Sequence, residues 1–259
     1  MAFSPDFRAA PGTVGRADAA TFLDAGLRSY MLRVYNWMTS GLMLSGIIAY
    51  SVINVPAVYD VFYPLVETPR GLMHVPGGLV WISIFAPLAF VMVLSFGVNK
   101  LSTTAAQALY WAFAAVMGVS LSNVLRMYTG TSVAQVFFIT SGTFAAMSLY
   151  GYTTRSDLTK MGSFMMMGLF GVIIASLVNM FVGSSALQFG ISVIGVLVFV
   201  GLTAYDTQRI KNDFVTTTSA YGPEMAAKRS VYDALQLFLN FINLFMLLLN
   251  LMGNRSSNN

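Results

Sequence analysis

Two carboxylates in this chain sit where a carboxylate is costly. Asp206 closes a long apolar stretch that begins near Leu187, within Gly201-Leu202-Thr203-Ala204-Tyr205-Asp206-Thr207-Gln208-Arg209-Ile210-Lys211. Asp233 opens another stretch, which runs to about residue 252. An acid in such a segment costs roughly 2.5–3.5 kcal/mol at mid-helix on insertion scales, and less near an interface. Each acid therefore needs a partner, a proton or water. The other eight of the ten acidic residues are expected in tails or loops. Beyond Asp233 come Gln236, Asn240, Asn243 and Asn250, spaced 3, 4, 3 and 7 residues apart. That spacing keeps all five on one helical face, with Leu, Phe, Ile and Met opposite. A lipid-exposed helix would not carry such a stripe, so the last segment is expected inside a bundle with its polar face toward partners or water. Gln236, Asn243 and Asn250 can also serve as interhelical glue, at about 0.6–2 kcal/mol per contact.

The remaining polar residues point away from enzyme chemistry. The chain has no cysteine, so disulfides and thiolate metal sites are excluded. His74, the one histidine, falls in a loop without metal-ligand spacing and is expected to be solvated. No nucleotide-binding glycine loop occurs, and the spans contain no His or Lys base for a hydroxyl nucleophile. An enzyme is not expected, nor is a cofactor.

The elements that must position Asp206 and Asp233 are helices in a membrane. The chain is 56% hydrophobic and 9% charged, against about 25% charged in soluble domains, and its mean hydropathy is +0.70. A window of about twenty residues picks out seven segments: 31–53, 79–98, 106–126, 132–152, 161–182, 187–208 and 232–252. Only helices satisfy their own backbone groups in lipid. The expected fold is thus an all-α membrane protein, a seven-transmembrane helical bundle. A cytosolic N-terminal tail would occupy 1–28, the seven-helix domain 29–255 and a C-terminal tail 256–259. Gly168, Gly171 and Ala175 on the fifth span, with Gly195 and Gly201 on the sixth, are expected to permit close helix packing. With the N-terminus inside, eleven Lys and Arg fall on inside segments and three outside, which favours a cytoplasmic N-terminus. The net charge of +4 therefore reads as topology signal, and no nucleic-acid partner is expected.

Four stretches carry a resemblance. They are Tyr30-Met31-Leu32-Arg33-Val34-Tyr35-Asn36-Trp37, Met147-Ser148-Leu149-Tyr150-Gly151-Tyr152-Thr153-Thr154, the segment Gly201 to Lys211, and Leu237-Phe238-Leu239-Asn240-Phe241-Ile242-Asn243-Leu244-Phe245. Together they resemble the bacterial branch of the Bax inhibitor-1 family, the transmembrane Bax inhibitor motif proteins, from about residue 28 to 255. The resemblance implies seven helices with the last one central, and a pH-sensitive calcium leak across a bacterial inner membrane. It also implies a pair of aspartates on the last two helices, acting as pH sensor and latch. Asp206 matches the first of that pair. The second position is Asn240 here, and the nearest acid on the same face, Asp233, lies seven residues earlier, roughly 10 Å along the helix.

Two nearby carboxylates share a proton, which lets such a pair respond near neutral pH. An amide at position 240 removes that coupling and leaves Asp206 a weak calcium contact at most, because calcium prefers several charged oxygens. Asp233 is the residue that could replace the missing acid. The partners expected are the lipid bilayer and a transported calcium ion. A second reading is a non-conducting regulator that binds a membrane-anchored quality-control protease. A third is a proton-coupled transporter with Asp206 as proton carrier.

Overall fold

The computed structural model describes residues 16–256 apart from 70, 98–99 and 217–221, so most of the expected C-terminal tail and the first fifteen residues of the N-terminal one lie outside it. Eight helices and one hairpin make up the described chain: α1 Arg16–Asn54, α2 Pro56–Phe62, β1 Leu65–Thr68, β2 Gly71–His74, α3 Gly78–Gly97, α4 Thr103–Met127, α5 Gly130–Thr153, α6 Thr159–Val182, α7 Ser185–Thr216 and α8 Gly222–Met252. Local signals set several ends. Ser102 and Thr129 accept backbone N–H groups of the first turns of α4 and α5. Gly183, left-handed at φ 66°, ends α6. Pro56 starts α2, which bends 94° away from α1.

Among the described residues, five helices, α4 to α8, are long and apolar enough by length and hydropathy to cross a membrane; a sixth is reached if the bent α1–α2 pair counts as one span. The seven spans expected from hydropathy are thus five to six by this measure. α3, Gly78–Gly97, carries no charged residue over its 20 residues, roughly 30 Å at 1.5 Å per residue, the thickness of a bilayer core. Helix also continues where loops or tail were expected. α1 begins at Arg16, and the stretch 209–231 contains the ends of α7 and α8. Asp18, Asp24, Asp60, Asp213 and Glu224 therefore lie on helices rather than in tails or loops. A hydropathy window sees where a helix becomes polar, which is not where it stops. The segment 54–78, read as a loop, holds α2 and an antiparallel hairpin registered Leu65↔His74 to Thr68↔Gly71.

α8 packs against α1, α4, α5 and α7, while α3 leans chiefly on α4 and α6 on α7. The rotation of α8 is set by its aromatic side. Phe238 meets Phe113 edge-on at 5.1 Å, and Phe241 meets Phe137 at 5.7 Å and Phe144 at 5.6 Å. Leu237, Phe238, Phe241, Leu244 and Phe245 are all buried. α1 and α4 lock through the Ser45 hydroxyl, which donates to the Ala114 carbonyl at 2.6 Å, and the Tyr110 hydroxyl, which donates to that of Trp37 at 2.7 Å. At the end opposite Asp206 the segment after α8 is pinned: Thr129 N–H donates to the Asn254 carbonyl, Ser256 N–H to that of Met127, and Asn254 N–H to the Ser132 hydroxyl. α8 therefore runs through the bundle from one end to the other.

Candidate functional site

The segment around Asp206 is clamped on one side by the α5–α6 turn. A side chain at Gly151 would run into the Ala204 carbonyl, and one at Gly162 into the Tyr205 ring, so α7 lies close against both neighbours. Gln208 then hooks the turn, donating to the Ser156 carbonyl and accepting from the Leu158 N–H, both at 2.8 Å. The Lys211 ammonium donates to the Tyr152 carbonyl at 2.7 Å.

The opposite side of α7 faces α8, and there Asp206 is 2% exposed. Its Oδ2 accepts from Asn240 Nδ2 at 2.7 Å and from Gln236 Nε2 at 3.2 Å, while Arg209 Nη2 lies 3.2 Å from Oδ1. Helical spacing makes this set: Gln236 and Asn240 are one turn apart on α8, and Arg209 is one turn beyond Asp206 on α7. Buried carboxylates persist when paired and hydrogen-bonded, and charge-assisted bonds are roughly twice as strong as neutral ones. The partner that Asp206 requires is thus an amide pair plus a guanidinium whose side chain is 40% exposed.

Asp233 does something else. The Tyr30 hydroxyl donates to its Oδ2 at 2.5 Å, and the Tyr30 ring stacks on Phe214 at 4.7 Å. Arg229 and Arg209 both lie near enough to act electrostatically on Asp233. The contact joins α8 to α1, whereas Asp206 joins α8 to α7. The rest of the stripe divides. Asn250 accepts from the Tyr128 hydroxyl at 3.0 Å at the far end. Asn243 is exposed, contrary to the expectation of an inward polar face, because the aromatic side of α8 takes the packed position. His74 is not simply solvated: its Nδ1 is 2.7 Å from the Tyr63 carbonyl and its ring stands edge-on to Tyr59. Of the small residues, Gly168, Gly195 and Gly201 do face neighbouring side chains, but nothing lies near Gly171.

Sequence reasoning assigned no role in the site to Arg209, Tyr30, Gln208 or Lys211. The i, i+3 spacing of Asp206 and Arg209 was the available signal; Tyr30 and Asp233, 203 residues apart, left none. Among the described residues, no three His, Cys, Asp or Glu side chains cluster so as to hold a metal ion.

A bundle of apolar helices with a buried, fully paired aspartate between its last two members defines a helical membrane protein. Its sequence matches the family described as Inhibitor of apoptosis-promoting Bax1 over residues 27–257. Among its relatives is an uncharacterised protein of Rickettsia prowazekii, 45% identical over 232 residues, covering 90% of this chain and 92% of the relative. The inner membrane protein YbhL of Escherichia coli K12 is 43% identical over 242 residues, covering 93% and 97%. A membrane protein of Streptococcus pyogenes is 34% identical over 230 residues, covering 89% and 94%. The chain belongs to the Bax inhibitor-1 family.

Proposed function

We propose that the protein is a multi-pass calcium-leak channel of a bacterial inner membrane, with seven membrane segments, a cytoplasmic N-terminus and Asp206 as its titrating latch residue. The observation that carries this reading is the 2.7 Å bond from Asn240 to Asp206. It places an amide at the position where the family resemblance calls for a second aspartate. In an aspartate pair, loss of the shared proton sets two negative charges against each other and drives the helices apart. Here the amide donates to the carboxylate, so ionisation of Asp206 strengthens the α7–α8 contact. The latch is therefore weaker in its pH response, and a calcium ion meets one carboxylate where it would otherwise meet two. Asp233 is held instead by Tyr30 of α1.

The test is calcium flux in liposomes, measured across pH with the native protein and with Asn240→Asp. The variant should gain a steeper pH response and stronger calcium dependence. Identical profiles for the two proteins would remove the latch reading.

A further inference from the structure

α1 packs on α4 and α8, and α5 packs on α7 and α8, leaving a cleft between α1 and α5. Three adjoining cavities of about 370, 560 and 120 Å³ fill it. The first two share Tyr35 and Ser148; the second and third share Leu42, Gly46, Phe137 and Phe241. Phe241 of α8 forms the floor. Along α1 the cleft runs from Arg28 to Ala49, roughly 31 Å at 1.5 Å per residue, which matches the thickness of a bilayer core. Its rim is apolar and open: Leu32, Met43, Ile47 and Leu149 are each more than half exposed.

The two ends of the cleft differ. Its inner part is hydrocarbon, with Phe137, Phe241 and Phe245 lining the innermost cavity. At the other end stands Arg28, exposed, and among the described residues no carboxylate pairs with it. Tyr152 lines that same end and carries the Lys211 ammonium 5.4 Å from its ring centre. A long apolar trough in a membrane, ending in an unpaired guanidinium, has the polarity of an anionic lipid: chain inside, phosphate at the rim.

We infer that the α1–α5 cleft is a binding site for a phospholipid of net negative headgroup, with an acyl chain laid over Phe241 and its phosphate at Arg28. The lipid would complete the bundle surface where two helices do not meet. The site is independent of whether the protein conducts calcium. It also differs from general lipid contact, which has no reason to distinguish headgroups at one helix pair.

The chain lacks cysteine, so a single fluorophore can be attached at Leu149→Cys on the rim, with Phe170→Cys on the lipid face of α6 as reference. The full-length protein is reconstituted in phosphatidylcholine vesicles containing brominated phosphatidylglycerol or brominated phosphatidylcholine as quencher. At Leu149 the phosphatidylglycerol should quench with about fivefold higher apparent affinity, the effect expected of one cation near a lipid surface. At Phe170 the two lipids should quench alike. Arg28→Gln should abolish the preference, while Arg33→Gln, whose side chain lines a different cavity, should keep it. Gly46→Phe enters open space and should reduce quenching by both lipids. Equal quenching at Leu149 by the two lipids, a preference that survives Arg28→Gln, or no effect of Gly46→Phe would each overturn the site.

Discussion

Replacing Asn240 by leucine tests the pairing of the buried acid most sharply. Leucine keeps the branched skeleton of asparagine but is bulkier, so overpacking at this buried site adds to the loss of one donor, 2.7 Å from Asp206 Oδ2. A hydrogen bond to a charged group contributes about 1.5–3 kcal/mol. Leaving a buried charge with no partner costs about 3–5 kcal/mol, but Asp206 keeps Gln236 at 3.2 Å and Arg209 at 3.2 Å. The smaller range therefore applies. At 2–4 °C per kcal/mol, the expected fall in melting temperature is roughly 3–12 °C. The assay is thermal unfolding of the purified protein in detergent at neutral pH, for Asn240→Leu, Asp206→Leu and the double variant. The double variant should fall short of the sum by 1 kcal/mol or more, since the second change removes a bond already lost. Additivity within about 0.5 kcal/mol would refute the argument.

Three further outcomes follow from the geometry. Gly151→Leu forces a side chain into the Ala204 carbonyl, which is backbone and cannot swing away; it should destabilise by at least about 1–3 kcal/mol, whereas Gly171→Leu, with open space around it, should be tolerated. Tyr30→Phe removes the donor to Asp233 and should cost about 1–3 kcal/mol, while Asn243→Leu on the exposed face should stay within about 0.5 kcal/mol; equal melting temperatures for the two would contradict the assignment. Hydrogen bonds from the Thr159 side chain and then its backbone hold the Asp157 carboxyl below its ordinary value of 3.8, so this group stabilises the turn above the unfolded value and loses that contribution as pH falls through its folded one. Thr159→Val should raise the Asp157 titration midpoint observed by carboxyl NMR, and an unmoved midpoint would show that the bonds have no effect.

Much of the site was legible because helical spacing carries it. Asp206 stood out as an acid in an apolar run, and the 3, 4, 3, 7 pattern on the last segment put Gln236 and Asn240 on the face that meets it. What that pattern could not give was rotation. Three phenylalanines on α4 and α5 hold the aromatic side of α8, and this leaves Asn243 exposed although it shares the stripe with Asn240. Long-range partners were equally hidden: Tyr30 reaches Asp233 across 203 residues, with no periodicity to announce it. Span count was less legible for a simpler reason. Hydropathy registers apolar length, and it cannot see that α1 and α2 meet at 94°. The small residues show the same limit, since Gly151 and Gly162 prove tighter than Gly171 only once the neighbouring helices are in place.

In the proposed channel Asp206 controls the ion path. Calcium flux through liposomes holding only the purified protein, native against Asp206→Asn, tests it most directly. Asparagine keeps the size and one carbonyl acceptor for Asn240 but carries no charge and does not titrate, so the native protein should conduct and the variant should show an altered rate with a flattened pH profile. A native protein that passes no calcium, or a variant with the same rate and the same pH profile, would rule out that role for Asp206.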